Sequence, residues 1–213
     1  MKILQPELSG DAKQLGDVDR AFIKDDSISE VFIENAGLIG LELKQLKLSE
    51  SLIHKTDFSQ AKINKFDVFE CEFSGCDFTA SKFAGASWRV VLVDGARCSG
   101  LQMTDGSLKN VRFKNSKLEI VNFRFSRLEN VIFEDCVLDD VDFNDAKLKN
   151  IEFTGCTINN LSFTGAKMLN VDLSGSQIDG MMGVTSLKGA CISFDQLMQL
   201  APLLAVEAGI KIK

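Results

Sequence analysis

The sequence predicts an all-β solenoid: a four-sided β-helix of very short stacked strands, closed by a short C-terminal helical cap. Three observations carry that prediction. An apolar residue recurs every five positions without a slip from Ile28 to Ile178, and the residue two places after it is Gly or Asn unusually often. From Phe113 to Phe163 these apolar centres alternate Phe with Leu, Ile or Met, which adds a second period of ten. A period of five fits neither the 3.6 of a helix nor the 2 of a single strand.

Composition sets the bounds. With 213 residues, 45% of them hydrophobic, the chain suits one well-buried domain. A net charge of -6 argues against a general nucleic-acid binder, which needs a basic stripe to neutralise phosphates. The opening MKILQPELSG lacks the apolar run of a secretory signal, and no membrane-spanning apolar stretch occurs, so a cytoplasmic protein with no membrane or direct nucleic-acid partner is expected.

Taken in order, the first segment, residues 1–25, stands outside the register and is too short for a core of its own. It is expected to cap the open strand edges and apolar centres of the first coil, so that its deletion would expose Ile28 and Ile33. The repeat follows over residues 26–180. Two places before each centre sits a second, mostly small or β-branched set, such as Cys71, Ser81, Val111 and Ala146, with a polar residue between, as in Val111-Arg112-Phe113. Two inward side chains flanking an outward one make a very short strand. Gly75, Asn115, Asn130 and their equivalents then take the positive φ of a type II turn, so the chain turns a corner every five residues.

The period of ten fixes the number of sides. A twenty-residue coil keeps Phe113, Phe133 and Phe153 in one column and Phe123, Phe143 and Phe163 in the opposite one, where rings stack at the inter-strand spacing; a fifteen-residue coil would mix the types. Trp88, Val93, Cys98 and Met103 depart from the Leu/Phe pattern, and a bend or a change of cross-section is expected there. In the last segment, residues 181–213, Ser193 and Gln196 form a capping box that starts a helix near Phe194. Pro202 is expected to break or kink it or to open a second helix, and Gly209 to end it.

Units such as Cys76-Asp77-Phe78-Thr79-Ala80 and Ala146-Lys147-Leu148-Lys149-Asn150 resemble the pentapeptide-repeat family, and the likeness runs from about Asp26 to Gly180. The resemblance implies a right-handed coil. It also implies two functional precedents, since quinolone-resistance members are acidic rods that resemble duplex DNA and bind DNA gyrase, and gyrase-binding members dimerise through a C-terminal helix.

Residues able to carry chemistry are few. Cys71, Cys76, Cys136 and Cys156 occupy the small inward position and Cys98 is a centre, so all five read as core packing; without a C-x-x-C pair no zinc site is expected. The only histidine, His54, follows a centre and faces out, with no nucleophile arranged beside it. No catalytic residue, metal or cofactor is expected, and the chain reads as a non-enzymatic protein-interaction scaffold.

Partner surfaces are read from the outward positions. Glu134, Asp135, Asp139, Asp140, Asp142 and Asp145 crowd one coil and form a negative belt. An outward column at twenty-residue spacing runs Phe32, Leu52, Glu72, Leu92, Arg112 and Ile132, and Ile120 and Phe125 lie exposed at corners. The alternative function is a DNA mimic that modulates gyrase or another topoisomerase. A rod of roughly 31 units, in coils of four at about 4.8 Å each, is about 37 Å long, a length of duplex carrying roughly 22 phosphates, so the mimicry is sparse. Phe194, Leu197, Met198, Leu200, Leu203 and Leu204 surround the C-terminal helix with apolar groups, more than a monomeric plug requires, and are the candidates for a homodimer contact.

Overall fold

Up to Glu152 the strands of the repeat pair in parallel with the residue twenty positions on: Val111 with Val131, Leu118 with Leu138, Asn122 with Asp142, Arg127 with Lys147. Twenty residues therefore make one coil, and each five-residue unit makes one side. The computed structural model describes residues 1–8, 12–16, 18, 21–22 and 25–211. It is a parallel β-solenoid of about nine turns with one short C-terminal helix. In the coil 131–150 the four sides are 131–134, 136–139, 141–144 and 146–149, here called the first to the fourth.

The corners explain the period. Residues two places after the centres have positive φ except at Gln45, Lys65 and Gly175, and not only at Gly and Asn but also at Asp135, Asp140, Asp145, Ile120, Phe125 and Val90. Only some corners are closed turns, with the fourth residue's N–H donating to the first residue's carbonyl, as in Ala61 to Phe58, Ser126 to Phe123 and Ala146 to Phe143. At closed and open corners alike the N–H of the left-handed third residue donates to the next coil, as Gln60 does to Thr79, Phe125 to Asn144 and Asn115 to Glu134. Inter-coil pairing thus holds the positive φ even where the side chain does not favour it.

The interior is filled. Phe133 stacks on Phe113 at 5.2 Å and on Phe153 at 4.8 Å between ring centres, while Phe143 stacks on Phe123 at 5.2 Å and on Phe163 at 5.4 Å. The two columns meet edge to face across the coil, Phe133 to Phe143 at 6.2 Å. The small partner positions are buried as well. The centres Leu43 and Met168 are only partly buried.

The expected bend around Trp88 does not occur. Register runs unbroken from Trp88 to Leu108, from Val93 to Phe113 and from Gln102 to Asn122. The large Trp88, stacked on Phe73 at 5.5 Å, shares its coil with the smaller Val93, Cys98 and Met103, and all four are fully buried. The register does shift later, between Glu152/Asp172 and Thr154/Gly175, and in the last pairing of Val171 with Ala190.

Both ends carry additional chain. Lys13 and Gln14 pair in parallel with Val31 and Phe32, and Val18 and Phe22 join the core; residues 9–11, 17, 19–20 and 23–24 lie outside the described residues. At the other end one helix, α1, spans Phe194–Glu207 with both capping-box bonds of Ser193 and Gln196 in place. Pro202 lies inside it, so the expected break and second helix are absent; the helix continues past the one donor that proline lacks. Gly209, at φ 74°, ends it, and the N–H of Ile210 closes onto the carbonyl of Ala205.

Candidate functional site

The packed interior leaves the outer surface as the place where recognition can occur. Two hollows, both open to solvent, flank the rod: one of about 370 Å³ lined by Lys47, Asp67, Ser87 and Arg89, and one of about 1400 Å³ where α1 overhangs Gln177 and Asp179. Among the described residues no cluster of His, Cys, Asp or Glu could hold a metal ion. No helix among them is long and apolar enough to cross a membrane.

The cysteines sit where the spacing puts them. Cys71 donates its thiol to the carbonyl of Phe69 at 3.3 Å, and Cys76 to that of Ile53 at 3.5 Å; burial pushes both thiols up to about 12. Burial raises Cys98 as well, and Cys136 is held up by its thiol contact with the stacked Cys156 and by burial. Cys191, near α1, is the one exposed thiol among the six. His54 has a partner that the column position supplies: its Nδ1 lies 3.1 Å from Glu34 Oε1, one coil below. No nucleophile accompanies the pair among its hydrogen bonds, so it lacks the arrangement of nucleophilic catalysis.

The acidic belt is not one patch. Glu134 accepts from Arg112 Nη1 at 2.5 Å and lies 3.2 Å from Lys114 Nζ, and Asp142 lies 3.9 Å from Arg124 Nη1. Asp135, Asp140 and Asp145 are corner residues at φ 51°, 52° and 57°, and Asp139 ends the strand Val137–Asp139 on the second side. The six therefore spread over three sides and their corners. Three of them are explained by the tolerance of Asp for left-handed backbone.

The outward apolar column needs a correction. Phe32, Leu52 and Leu92 are half-buried, and Ile132, expected to be exposed, is only 4% exposed without belonging to the core cluster. The N-terminal segment reaches this column. The backbone nitrogen of Met1 contacts Glu152 Oε2, and Glu152 is the register partner of Ile132. Ile3 is buried, also outside the core cluster, and Arg112 Nε is shut from solvent without a partner. Ile120 and Phe125 do lie exposed at adjacent corners, with the Arg124 guanidinium 5.4 Å from the centre of the Phe125 ring.

On α1 the six apolar candidates divide. Leu200 is 3% exposed and Leu204 packs against the core, so these two hold the helix to the solenoid and are not free for a partner. Phe194, Leu197, Met198 and Leu203 face outward, joined by Val206, while Gln196 is buried and donates from Nε2 to the carbonyls of Leu173 and Ser176, both at 2.7 Å. The side chain that closes the capping box thus also covers the open end of the last coil.

Solved structures with a similar course include HetL, a pentapeptide repeat protein involved in heterocyst differentiation regulation from the cyanobacterium Nostoc sp. strain PCC 7120 (18% identity, 84% of this chain and 97% of that one, TM-score 0.38). A trypsin-treated form of QnrB1, a plasmid-mediated fluoroquinolone resistance protein, is 18% identical over 88% of this chain and 89% of that one, with a TM-score of 0.39. Rfr23 from the cyanobacterium Cyanothece 51142 is 14% identical over 64% of this chain and 94% of that one, with a TM-score of 0.45. No curated protein matches the chain. Residues 106–182 match the family description "Pentapeptide repeat region" and residues 71–110 match "Pentapeptide repeats (8 copies)". Twenty-residue register, small-x-centre units and profile matches that together span more than half of the sequence agree, and the chain belongs to the pentapeptide repeat family.

Proposed function

We propose that this protein is a non-enzymatic interaction scaffold that meets a protein partner through its outer surface and forms a homodimer through α1. The filled interior carries the reading: with both Phe columns and the small positions packed shut, a ligand-sized cleft has no room inside the coil. On the outside, Ile120 and Phe125 are 66% and 53% exposed at neighbouring corners, a contact area that polar corner residues would serve better if solvation were the only demand. The dimer is supported by the outward face of α1, where Phe194, Met198 and Val206 are 74%, 60% and 68% exposed.

The alternative, a DNA mimic acting on gyrase or another topoisomerase, draws little support from the charge geometry, since the acidic coil spreads over three sides and Glu134 and Asp142 face cations. Native protein and an Ile120→Asn/Phe125→Asn variant, each immobilised, are to be challenged with host lysate. The scaffold reading expects a retained protein whose recovery falls about tenfold for the variant. Equal recoveries would remove the corner site, and inhibition of a gyrase supercoiling assay at micromolar protein would favour the alternative.

A further inference from the structure

The outward column of the first side breaks the rule that the middle residue of each unit faces water. Phe32, Leu52, Leu92 and Ile132 are apolar there, and what covers the top of the column is the chain's own beginning. Met1 contacts Glu152, and Lys13 pairs with Val31, so these two residues of the N-terminal segment lie six coils apart along the rod. Twelve extended residues reach about 40 Å and six coils rise about 29 Å, so the segment has ample length to follow the column. One coil is about 4.8 Å and two extended residues about 6.6 Å, which sets Ile3 abreast of Ile132, one coil below Glu152. Both are buried although neither belongs to the core cluster, and Arg112, the next residue down the column, has its Nε shut from solvent. Farther along, Pro6 and Leu8 are half-buried while Leu4, on the other face of the strap, is 63% exposed.

We infer that residues 1–8 are a displaceable strap seated on this column, and that the seat is a groove for one extended peptide segment with a branched apolar side chain at the place of Ile3, filled in the resting protein by the chain's own MKILQPEL. The described strap residues make no backbone-to-backbone hydrogen bond to the solenoid, unlike Lys13 and Leu15, which donate to Glu30 and Phe32. Side-chain burial and the Glu152 contact therefore hold residues 1–8, and loss of one anchor frees the groove without opening the coil. The inference does not depend on which protein the scaffold meets.

The full chain is compared with its Ile3→Asn, Leu4→Asn and Ile132→Asn variants, each checked for native circular dichroism. Cleavage after Glu7 by a glutamate-specific protease, followed by mass spectrometry, should be about tenfold faster in Ile3→Asn and Ile132→Asn, because the strap is released, and unchanged in Leu4→Asn. Synthetic MKILQPEL carrying a fluorophore at its C-terminus should then bind saturably to Ile3→Asn, about tenfold more weakly to the native chain, and not to Ile132→Asn. Equal cleavage of all four proteins, or no binding of the peptide to Ile3→Asn, overturns the inference.

Discussion

At the scale of the residue, the coil asks for left-handed backbone every five positions and accepts what the sequence offers. Ile120 stands there at φ 55°, where a β-branched side chain clashes with its own carbonyl, and it is exposed. Ile120→Asn should therefore raise stability by about 1 kcal/mol, measured by denaturant unfolding, because Asn tolerates the same backbone; a loss would mean that the isoleucine packs better than its exposure implies. The cysteines give a second residue-scale test. A thiol reagent at about pH 8 should count one group, Cys191, in the native protein and all six after denaturation. Cys71 and Cys76 are raised by burial to about 12 from an unfolded value near 8.5, so the native state favours their protonated form. Their contribution is complete below about pH 8.5 and is lost as pH rises towards about 12, so alkaline titration should lower the melting temperature in that window.

The elements show which features were legible in the sequence. The period, the sides and the capping box could be read because each is a local pattern: a side chain every five residues, a ring type every ten, a serine three before a glutamine. What covers an element is not local. Ile132 sits at an outward position of its unit and is buried, beside a register partner, Glu152, that meets Met1 from more than a hundred positions away, and nothing in Val131-Ile132-Phe133 announces it. Leu200 and Met198 are equally apolar, and only the angle at which α1 meets the last coil separates the anchored residue from the free one. Gln196 joins both kinds of information. Gln196→Ala removes the capping bond and leaves the carbonyls of Leu173 and Ser176 without their donor, and should cost about 2–3 kcal/mol in chemical denaturation. Met198→Glu should leave the melting curve within about 0.5 kcal/mol and convert a dimer to a monomer in light scattering, whereas Leu200→Glu should loosen α1 itself. The asparagine ladder of Asn110, Asn130, Asn150 and Asn170, with amide bonds of 3.1, 2.9 and 3.0 Å, was visible only as turn residues until the register stacked them.

For the whole molecule the claim is that a square coil of twenty residues, filled with side chains, leaves function to its surface. Phe133→Ala should cost about 3–5 kcal/mol, because two stacked rings lose their neighbour, while Lys147→Ala, on an exposed middle position, should cost about 0.5 kcal/mol or less. Such a pair tests inside against outside but not the number of sides. Deletion does both. Removing residues 121–140 takes out one whole coil and returns every later side to its own column, whereas removing residues 121–125 turns every later side by a quarter of a coil and sets Phe133 on Leu108, Leu138 on Phe113 and Phe143 on Leu118 at the junction, while the coils beyond keep their own columns. The coil deletion is expected to unfold cooperatively, with a melting temperature close to that of the native chain, and the shorter deletion to melt lower, because its junction interrupts both Phe columns. A five-residue deletion as stable as the twenty-residue one would contradict the four-sided filled coil, and with it the assignment of function to the outside.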